Sequence, residues 1–140
     1  MANAIYPLYK QELLKHTTDT DLDGAEGATS GVFCALVDTG TYTYSAAHQF
    51  YSSVSAAAVG TAQEILTKTQ ASGTFDGTNL TFTAVSGATV EALVIFRKNA
   101  GANTTWPLIA YLDTGITGLP VTPNGGDITI TWHASGIFTI

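Results

Sequence analysis

Uninterrupted apolar runs mark two strands of the chain. The segment GVFCALV at 31–37 contains no charged or strongly polar side chain, and VEALVIFRK at 90–98 is apolar at most positions before its basic end. Strands that are covered on both faces show such runs, whereas half-exposed strands alternate between apolar and polar residues. The two segments therefore predict strands that are buried on both faces.

Two other segments do alternate. NLTFTAV at 79–85 and DITITW at 127–132 place threonines between larger apolar side chains, as in a strand with one buried face. The apolar positions are Leu80, Phe82 and Ala84 in the first segment and Ile128, Ile130 and Trp132 in the second. GIFTI at 136–140 predicts one further short strand.

Turn residues separate these strands at intervals of roughly ten residues. They include Asp76-Gly77, Ser86-Gly87, Ser135-Gly136 and the loops NAGANTT and TPNGGD. Such residues accept positive φ or form Asx turns, and this spacing is typical of antiparallel sandwiches and barrels. We therefore predict a mainly β fold, an antiparallel β-sandwich or barrel-like domain with one N-terminal helix.

The helix is predicted to begin at Pro7, a residue suited to a first helical position, and to end near His16. Tyr6, Tyr9 and Leu13 recur at spacings of three and four and form an apolar stripe. This stripe predicts either a docking element for a partner or a lid on the domain's own core.

The length of 140 residues predicts one domain, with an N-terminal helical segment at 1–18 and a β domain at 31–140. Between the predicted strands, SAAHQFYSSVSAAAVG at 45–60 lacks alternation. We expect a short helical turn there, followed by an irregular crossing.

Charged residues make up only 11% of the sequence, compared with about 25% in an ordinary soluble domain. Much of the surface must then consist of Thr, Ser, Asn and Ala, which suits lasting contact with neighbouring subunits. The net charge is −6 with five Lys and Arg in total, so the chain offers no basic patch for phosphates. Nucleic acid is not an expected partner.

Cys34 is the only cysteine, so an intrachain disulfide is excluded. Its place inside an apolar run predicts a buried thiol. The N-terminal sequence is too polar for a signal peptide, and no apolar run approaches the roughly 20 residues of a membrane span. We expect no membrane partner and a protein that is made in a cytosol-like solvent.

Two Asp-Thr-Gly triplets follow apolar runs, at Asp38-Thr39-Gly40 and at Asp113-Thr114-Gly115. A pepsin-like aspartic protease uses two such triplets so that its carboxylates share a proton. The similarity between the two segments ends at the triplet, however, with Thr41 following the first and Ile116 the second. We interpret the triplets as strand-ending turns, in which Asp accepts backbone N–H groups and Gly supplies positive φ, and keep proteolysis as an alternative.

The segment DTDLDGAEG matches the start of an EF-hand loop, with Asp19, Asp21, Asp23 and Gly24 at positions 1, 3, 5 and 6. Position 12, which supplies a bidentate Glu in that motif, is Ser30 here. We therefore interpret the region as an acidic turn, and leave open whether the loop Asp19 to Glu26 binds an ion.

Other catalytic or metal-binding motifs are not recognised in the sequence. His16, His48 and His133 are scattered and form no i, i+4 pair. Nucleophile-elbow, P-loop and dinucleotide-binding motifs are missing as well. We expect no enzymatic activity, no catalytic or metal site, and no cofactor.

Three long phrases of the chain are distinctive: MANAIYPLYKQELL, ALVDTGTYTYSAAHQF, and the C-terminal VEALVIFRKNAG with PLIAYLDTGITGLPVTPNGGDITITW. Together they resemble a family of small virion proteins of tailed bacteriophages. The resemblance spans most of the chain and implies a structural role in the virion without catalytic residues. The compact size and lack of fibre-like repeats favour a capsid decoration (cement) protein.

Such a protein would bind the major capsid protein and copies of itself, as a dimer or trimer. It would lie on the capsid surface of a virion assembled in the host cytoplasm. Its contacts with neighbours would centre on Trp106 or Trp132 if either is exposed. As an alternative, a tail or fibre receptor-binding module would use Tyr42, Tyr44 and Tyr51 to stack against carbohydrate.

Overall fold

The computed structural model of the protein describes residues 3–16, 19–23, 27 and 30–140. Its largest element is an antiparallel five-stranded sheet built from β1 (Ala4–Ile5), β2 (Gly31–Val37), β3 (Ala58–Glu64), β7 (Ala92–Lys98) and β8 (Leu108–Leu112). The order of the strands across the sheet is β1-β8-β7-β2-β3. The sheet is open, with β1 and β3 at its two edges.

The three central strands are buried on both faces. All seven residues of β2 and all five of β8 are buried, as is every residue of β7 before Lys98. Successive side chains of a strand point to opposite faces, so a fully buried strand must be covered on both sides. The predictions for 31–37 and 90–98 are confirmed.

The described residues also form two smaller antiparallel sheets. Their strands are β4 (Thr69–Ala71), β5 (Thr74–Asp76), β6 (Leu80–Phe82), β9 (Ile128–Ile130) and β10 (Phe138–Thr139). One sheet has the order β10-β5-β4 and the other pairs β6 with β9. Buried residues of all three sheets belong to one continuous core. The fold is thus mainly β and antiparallel, as predicted.

The alternating strands have one buried face. Leu80 and Phe82 are buried while Thr81 between them is exposed, and β9 shows the same pattern. The prediction for Ala84 is wrong, because the strand ends at Phe82 and Ala84 is exposed with φ of 49°. Val85, one position later, enters the core instead. A backbone turn after the strand shifts the alternation by one residue.

The one α-helix of the described residues, α1 (Pro7–Lys15), has the predicted limits. Pro7 begins it, and His16 ends it with φ of 55° in the left-handed region. Tyr6 and Tyr9 are buried in the protein's own core, which is the behaviour expected of a lid. Leu13 is 36% exposed, so the apolar stripe is buried only in its first half.

The middle of the chain departs from the prediction. Residues Tyr51–Ser53 and Ser55–Ala57 form the expected helical turns, both of 3₁₀ type. The irregular crossing expected next is in fact the strand β3, which pairs antiparallel with β2. Its sequence, AVGTAQE, has no apolar run because β3 is an edge strand and buries little besides Val59.

Candidate functional site

The two Asp-Thr-Gly triplets lie at the same end of the large sheet. Asp38 follows the last residue of β2 and Asp113 the last residue of β8, while Glu91 precedes the first residue of β7, which lies between them. In an antiparallel sheet the end of one strand adjoins the start of the next. The register pairs Val37 with Ala92 and Leu93 with Leu112, and so brings the three carboxyl residues to one edge.

Asp38 stabilises its own turn. Its Oδ1 accepts a hydrogen bond from the Gly40 N–H at 2.8 Å, and its Oδ2 accepts one from the Thr41 hydroxyl at 2.8 Å. The Tyr42 N–H donates to the Asp38 carbonyl at 3.0 Å. Both carboxylate oxygens are therefore engaged within the local turn, as the interpretation of the triplet as a turn requires.

The second triplet is held differently. The Oδ1 of Asn3 accepts hydrogen bonds from the backbone N–H groups of Asp113 at 2.7 Å and of Thr114 at 3.0 Å. Gly115 has φ of 70°, whereas Gly40 does not adopt positive φ, so the prediction that both glycines supply positive φ is wrong for Gly40. The first turn needs no left-handed residue because the Asp38 side chain closes it.

A cavity of about 310 Å³ opens at this edge, and we call it the edge pocket. It is lined by Thr39, Tyr42, Thr43, Tyr44, Glu91, Tyr111 and Asp113. Both triplets contribute to it, through Thr39 and Asp113. Tyr42 and Tyr44, which were predicted as part of a stacking site, are brought together here.

Aromatic contacts hold the walls of the edge pocket in place. The ring of Tyr44 lies 5.2 Å from that of Tyr6 and 5.4 Å from that of Tyr111, tilted in both cases. Tyr42 and Tyr111 have ring centroids 6.3 Å apart. Tilted pairs at these distances are favourable arrangements of aromatic rings.

A chain of hydrogen bonds runs behind the pocket. The hydroxyls of Tyr6 and Tyr42 are 2.8 Å apart, and the Tyr42 hydroxyl lies 2.9 Å from Nδ1 of His48. Burial raises the pKa of both tyrosines above the ordinary value. Both phenols are therefore neutral at physiological pH. The hydrogen bonds of the Tyr42 hydroxyl to Tyr6 and His48 hold the Tyr42 side chain in position.

The electrostatic potential in the edge pocket is negative. Burial and the charges of Asp113 and Glu91 raise the pKa of Tyr111 to about 12, since a negative neighbour disfavours the phenolate. Glu91 Oε2 accepts a hydrogen bond from the Thr39 N–H at 3.0 Å, which fixes that carboxylate at the rim. Among the described residues, no Lys or Arg lines the pocket.

Glu91 and Tyr111 were not predicted as site residues from the sequence. Glu91 is a charge next to a buried strand, and Tyr111 lies two positions before Asp113, on the same side of the strand. Both of these patterns are local in the sequence. Whether Glu91 and Tyr111 lie next to Tyr42 and Tyr44 depends on the order of the strands in the sheet.

Tyr51 does not join the other predicted stacking residues. It is 8% exposed, and its ring stacks on Phe96 with centroids 3.9 Å apart. Trp106 stacks on the same pair, 5.8 Å from each ring. The predicted site of Tyr42, Tyr44 and Tyr51 is therefore not formed, because Tyr51 belongs to a separate aromatic cluster.

The acidic segment is bound by an arginine. The Arg97 Nε donates to the Asp21 carbonyl at 3.2 Å, and Nη2 lies 3.5 Å from the Asp21 carboxylate. Asn99 donates to Asp19 Oδ2 at 2.8 Å. The Gly24 and Glu26 positions of the predicted loop lie outside the described residues. Within the described ranges, no group of three or more His, Cys, Asp and Glu side chains is arranged to hold a metal.

The remaining predicted residues are structural or dispersed. Cys34 is fully buried, and burial raises the pKa of its thiol. Trp132 is 7% exposed and donates its indole N–H to the Thr78 carbonyl, so it cannot centre a surface contact. Trp106 is half-buried and remains available at the surface. His16 and His133 are exposed on separate segments.

No family model matches the chain, and no curated protein matches its sequence. In the part of the chain that the structure describes, no helix is long and apolar enough to cross a membrane.

Proposed function

We propose that the protein is a non-catalytic structural component of a bacteriophage particle, a decoration protein that binds the major capsid protein on the outer surface of the head. The resemblance of its long phrases to small phage virion proteins supports the proposal that the protein is part of a phage particle. The observation that supports the mode of action is that the exposed strand faces carry few charges, around a central sheet that is covered on both faces.

The exposed strand positions carry mostly threonine. Thr61, Thr69, Thr81, Thr129 and Thr139 face outward, while the only charged residue of the described chain that is buried is Arg97. Threonine faces form broad interfaces without the desolvation cost of unpaired charges. Such a surface favours contact with capsid subunits and with copies of itself, as a dimer or trimer.

The mechanism is passive. Each copy would bridge neighbouring capsid subunits, so that separating them exposes additional buried area. Stable interfaces of this kind bury on the order of 1,200–2,000 Å² in total. A head reinforced in this way resists the internal pressure of packaged DNA. The protein would act in the virion, after assembly in the host cytoplasm.

Two alternatives differ in location and chemistry. A receptor-binding module of the tail or fibre is favoured by the edge pocket, where Tyr42 and Tyr44 line one cavity. Proteolysis would require Asp38 as one carboxylate of a shared pair, but both of its oxygens are hydrogen-bonded in its own turn.

The test is the copy number and position of the protein in purified particles. We expect a number comparable to that of the major capsid protein, with density on the shell in a cryo-EM map. Heads that lack the protein should break at lower temperature than complete heads. A few copies at the tail tip would contradict the decoration role and favour the receptor-binding alternative.

A further inference from the structure

We infer that a groove between two strand edges of the protein receives an extended, uncharged segment of the partner protein as an added β-strand. The identification of that partner as the major capsid protein rests on the proposed function, whereas the specificity for an extended backbone rests on the groove alone.

The groove lies between the edge strands of two different sheets. In the part of the chain that the structure describes, β1 ends the five-stranded sheet and pairs only with β8, while β10 ends the three-stranded sheet and pairs only with β5. A cavity of about 220 Å³ separates them, and we call it the strand groove. Its lining residues are Asn3, Ala4, Ile5, Leu112, Ile137, Phe138 and Thr139.

The register of β1 shows which of its backbone groups face away from the sheet. The Tyr6 N–H donates to the Ile109 carbonyl at 2.9 Å, and the neighbouring pair in the register is Ile5 with Ala110. Along an antiparallel strand, backbone groups alternate between facing the partner strand and facing away from it. The N–H and the carbonyl of Ile5 therefore point away from β8.

The same alternation applies to β10. The Ile140 N–H donates to the Gly73 carbonyl at 2.9 Å, and the neighbouring pair in the register is Thr139 with Thr74. The hydroxyls of Thr139 and Thr74 lie 3.0 Å apart, as expected for a pair that does not exchange backbone hydrogen bonds and whose side chains approach closely. The N–H and the carbonyl of Thr139 therefore point away from β5.

The strand groove borders the edges of these strands and not one of their faces. Successive side chains of a strand point to opposite faces, so a cavity that is lined by three consecutive residues on each side lies at an edge. An edge with outward N–H and carbonyl groups is the template on which a further strand pairs. The ligand that satisfies these groups is an extended polypeptide backbone.

The side chains of the strand groove select an uncharged segment. Its lining is apolar apart from Asn3 and Thr139, which are neutral. A charged side chain that entered the groove would lose its water without gaining an ion pair. An adjoining cavity of about 250 Å³ shares Asn3 and Ile137 with the groove, and so prolongs it towards His133. The combined space suits an extended segment of a few residues.

The open edges can be tested on the isolated protein without a ligand. Amide hydrogen exchange of isotope-labelled protein is followed by NMR. We expect the amides of Ile5 and Thr139 to exchange about tenfold or more faster than those of Tyr6 and Ile137, which donate to backbone carbonyls. Equal protection of all four amides would show that the edges are already covered, and would overturn the inference.

The probe for binding is the peptide N-acetyl-Thr-Val-Thr-Val-Thr-amide. One control peptide is N-methylated at its three central residues, which removes backbone donors but keeps the side chains, and a second has lysine in place of valine. We expect only the unmodified peptide to slow exchange at Ile5 and Thr139, in a saturable manner. Equal slowing by the N-methylated peptide, or no slowing by the unmodified one, would contradict recognition of an extended backbone.

Matched variants of one residue separate the backbone from the side chain. Thr139→Pro removes the outward N–H, and an edge strand tolerates proline where its N–H is unpaired. Thr139→Val keeps that N–H but loses the contact with the Thr74 hydroxyl, as the proline variant does. We expect peptide binding to weaken by about tenfold in Thr139→Pro and to stay unchanged in Thr139→Val. If Thr139→Pro does not fold, Ile5→Pro and Ile5→Val make the same comparison at β1.

The same variants are then tested for binding to heads that lack the protein. Weaker binding of Thr139→Pro, with normal binding of Thr139→Val, supports both proposals. Normal binding of both variants would refute the role of the groove while the decoration function stands. If the wild type does not bind heads but still binds the peptide, the decoration function fails and the strand receptor remains. Self-association of the wild type that Thr139→Pro abolishes would overturn the capsid protein as occupant and identify a second copy instead.

Discussion

Arg97 and Asp21 form a contact that joins the N-terminal part of the chain to the central sheet. The guanidinium is almost fully buried, whereas the Asp21 side chain is half exposed, and the pair is linked through both the carbonyl and the carboxylate of Asp21. Arg97 also donates to Ser30 Oγ at 3.2 Å and to the Lys98 carbonyl at 2.8 Å. One buried cation therefore organises the entry into β2.

Replacing Arg97 by Met should lower the free energy of unfolding by about 2–3 kcal/mol, because three partly buried acceptors lose their donor. The half-exposed Asp21 can return to water, which limits the cost. Urea denaturation followed by circular dichroism measures the effect. Lys10→Met, at an exposed helix position, is the control and should change stability by less than about 0.5 kcal/mol. Equal effects of the two variants would show that the Arg97 contacts are not stabilising.

Calcium should have little effect on stability. Asp21 forms an ion pair with Arg97, and Asp19 accepts a hydrogen bond from Asn99, so both carboxylates already have partners within the protein. A ligand that bound only the folded protein would stabilise it by RT ln(1 + [L]/Kd). We expect the melting temperature to move by less than about 1 °C on adding millimolar calcium or EDTA. A saturable rise of several degrees would establish an ion site in this segment.

Asp38→Asn should leave a folded protein, with a loss of at most about 1 kcal/mol, because the amide oxygen can still accept the Gly40 N–H. Asp38→Ala removes both acceptors and should cost about 1–2 kcal/mol. Chemical denaturation compares the two variants. Cleavage of a denatured protein substrate at acid pH by the wild type, lost in a folded Asp38→Asn variant, would support the protease alternative.

Alkaline pH should unfold the protein in one step with ionisation of its tyrosines. Tyr51 and Tyr111 have pKa values of about 12, raised above the ordinary 10 chiefly by burial, and those of Tyr6 and Tyr9 are raised as well. The unfolded chain therefore loses these protons first. Stability is unaffected by them below pH 10 and falls between pH 10 and 12 by about 1.4 kcal/mol per pH unit for each tyrosine.

Absorbance at 295 nm and circular dichroism report the two events together. We expect tyrosinate absorbance from the buried residues to rise only as the β signal is lost. Tyr51→Phe removes one titrating group and should make the fall in stability less steep by about 1.4 kcal/mol per pH unit. Ionisation of four or more tyrosines near pH 10 in a protein that keeps its β signal would contradict the burial described here.

Local patterns in the sequence determine several elements by themselves. Continuous apolar runs predict β2 and β7 because a strand covered on both faces needs apolar residues at every position. The limits of α1 follow from Pro7 and from the end of the apolar spacing near His16. The alternation in β6 and β9 follows from the two-residue period of a strand with one wet face.

Strand pairing and long-range contacts were decided by the tertiary structure, because local patterns do not specify them. β3 is a strand because it pairs with β2, and not because its own residues demand it. Arg97 meets Asp21 across 76 positions of sequence. The edge pocket exists because β7 lies between β2 and β8, which brings Glu91 and Asp113 to one edge. Residue spacing encodes the face that a side chain occupies, but the choice of neighbouring strand depends on how the whole core packs.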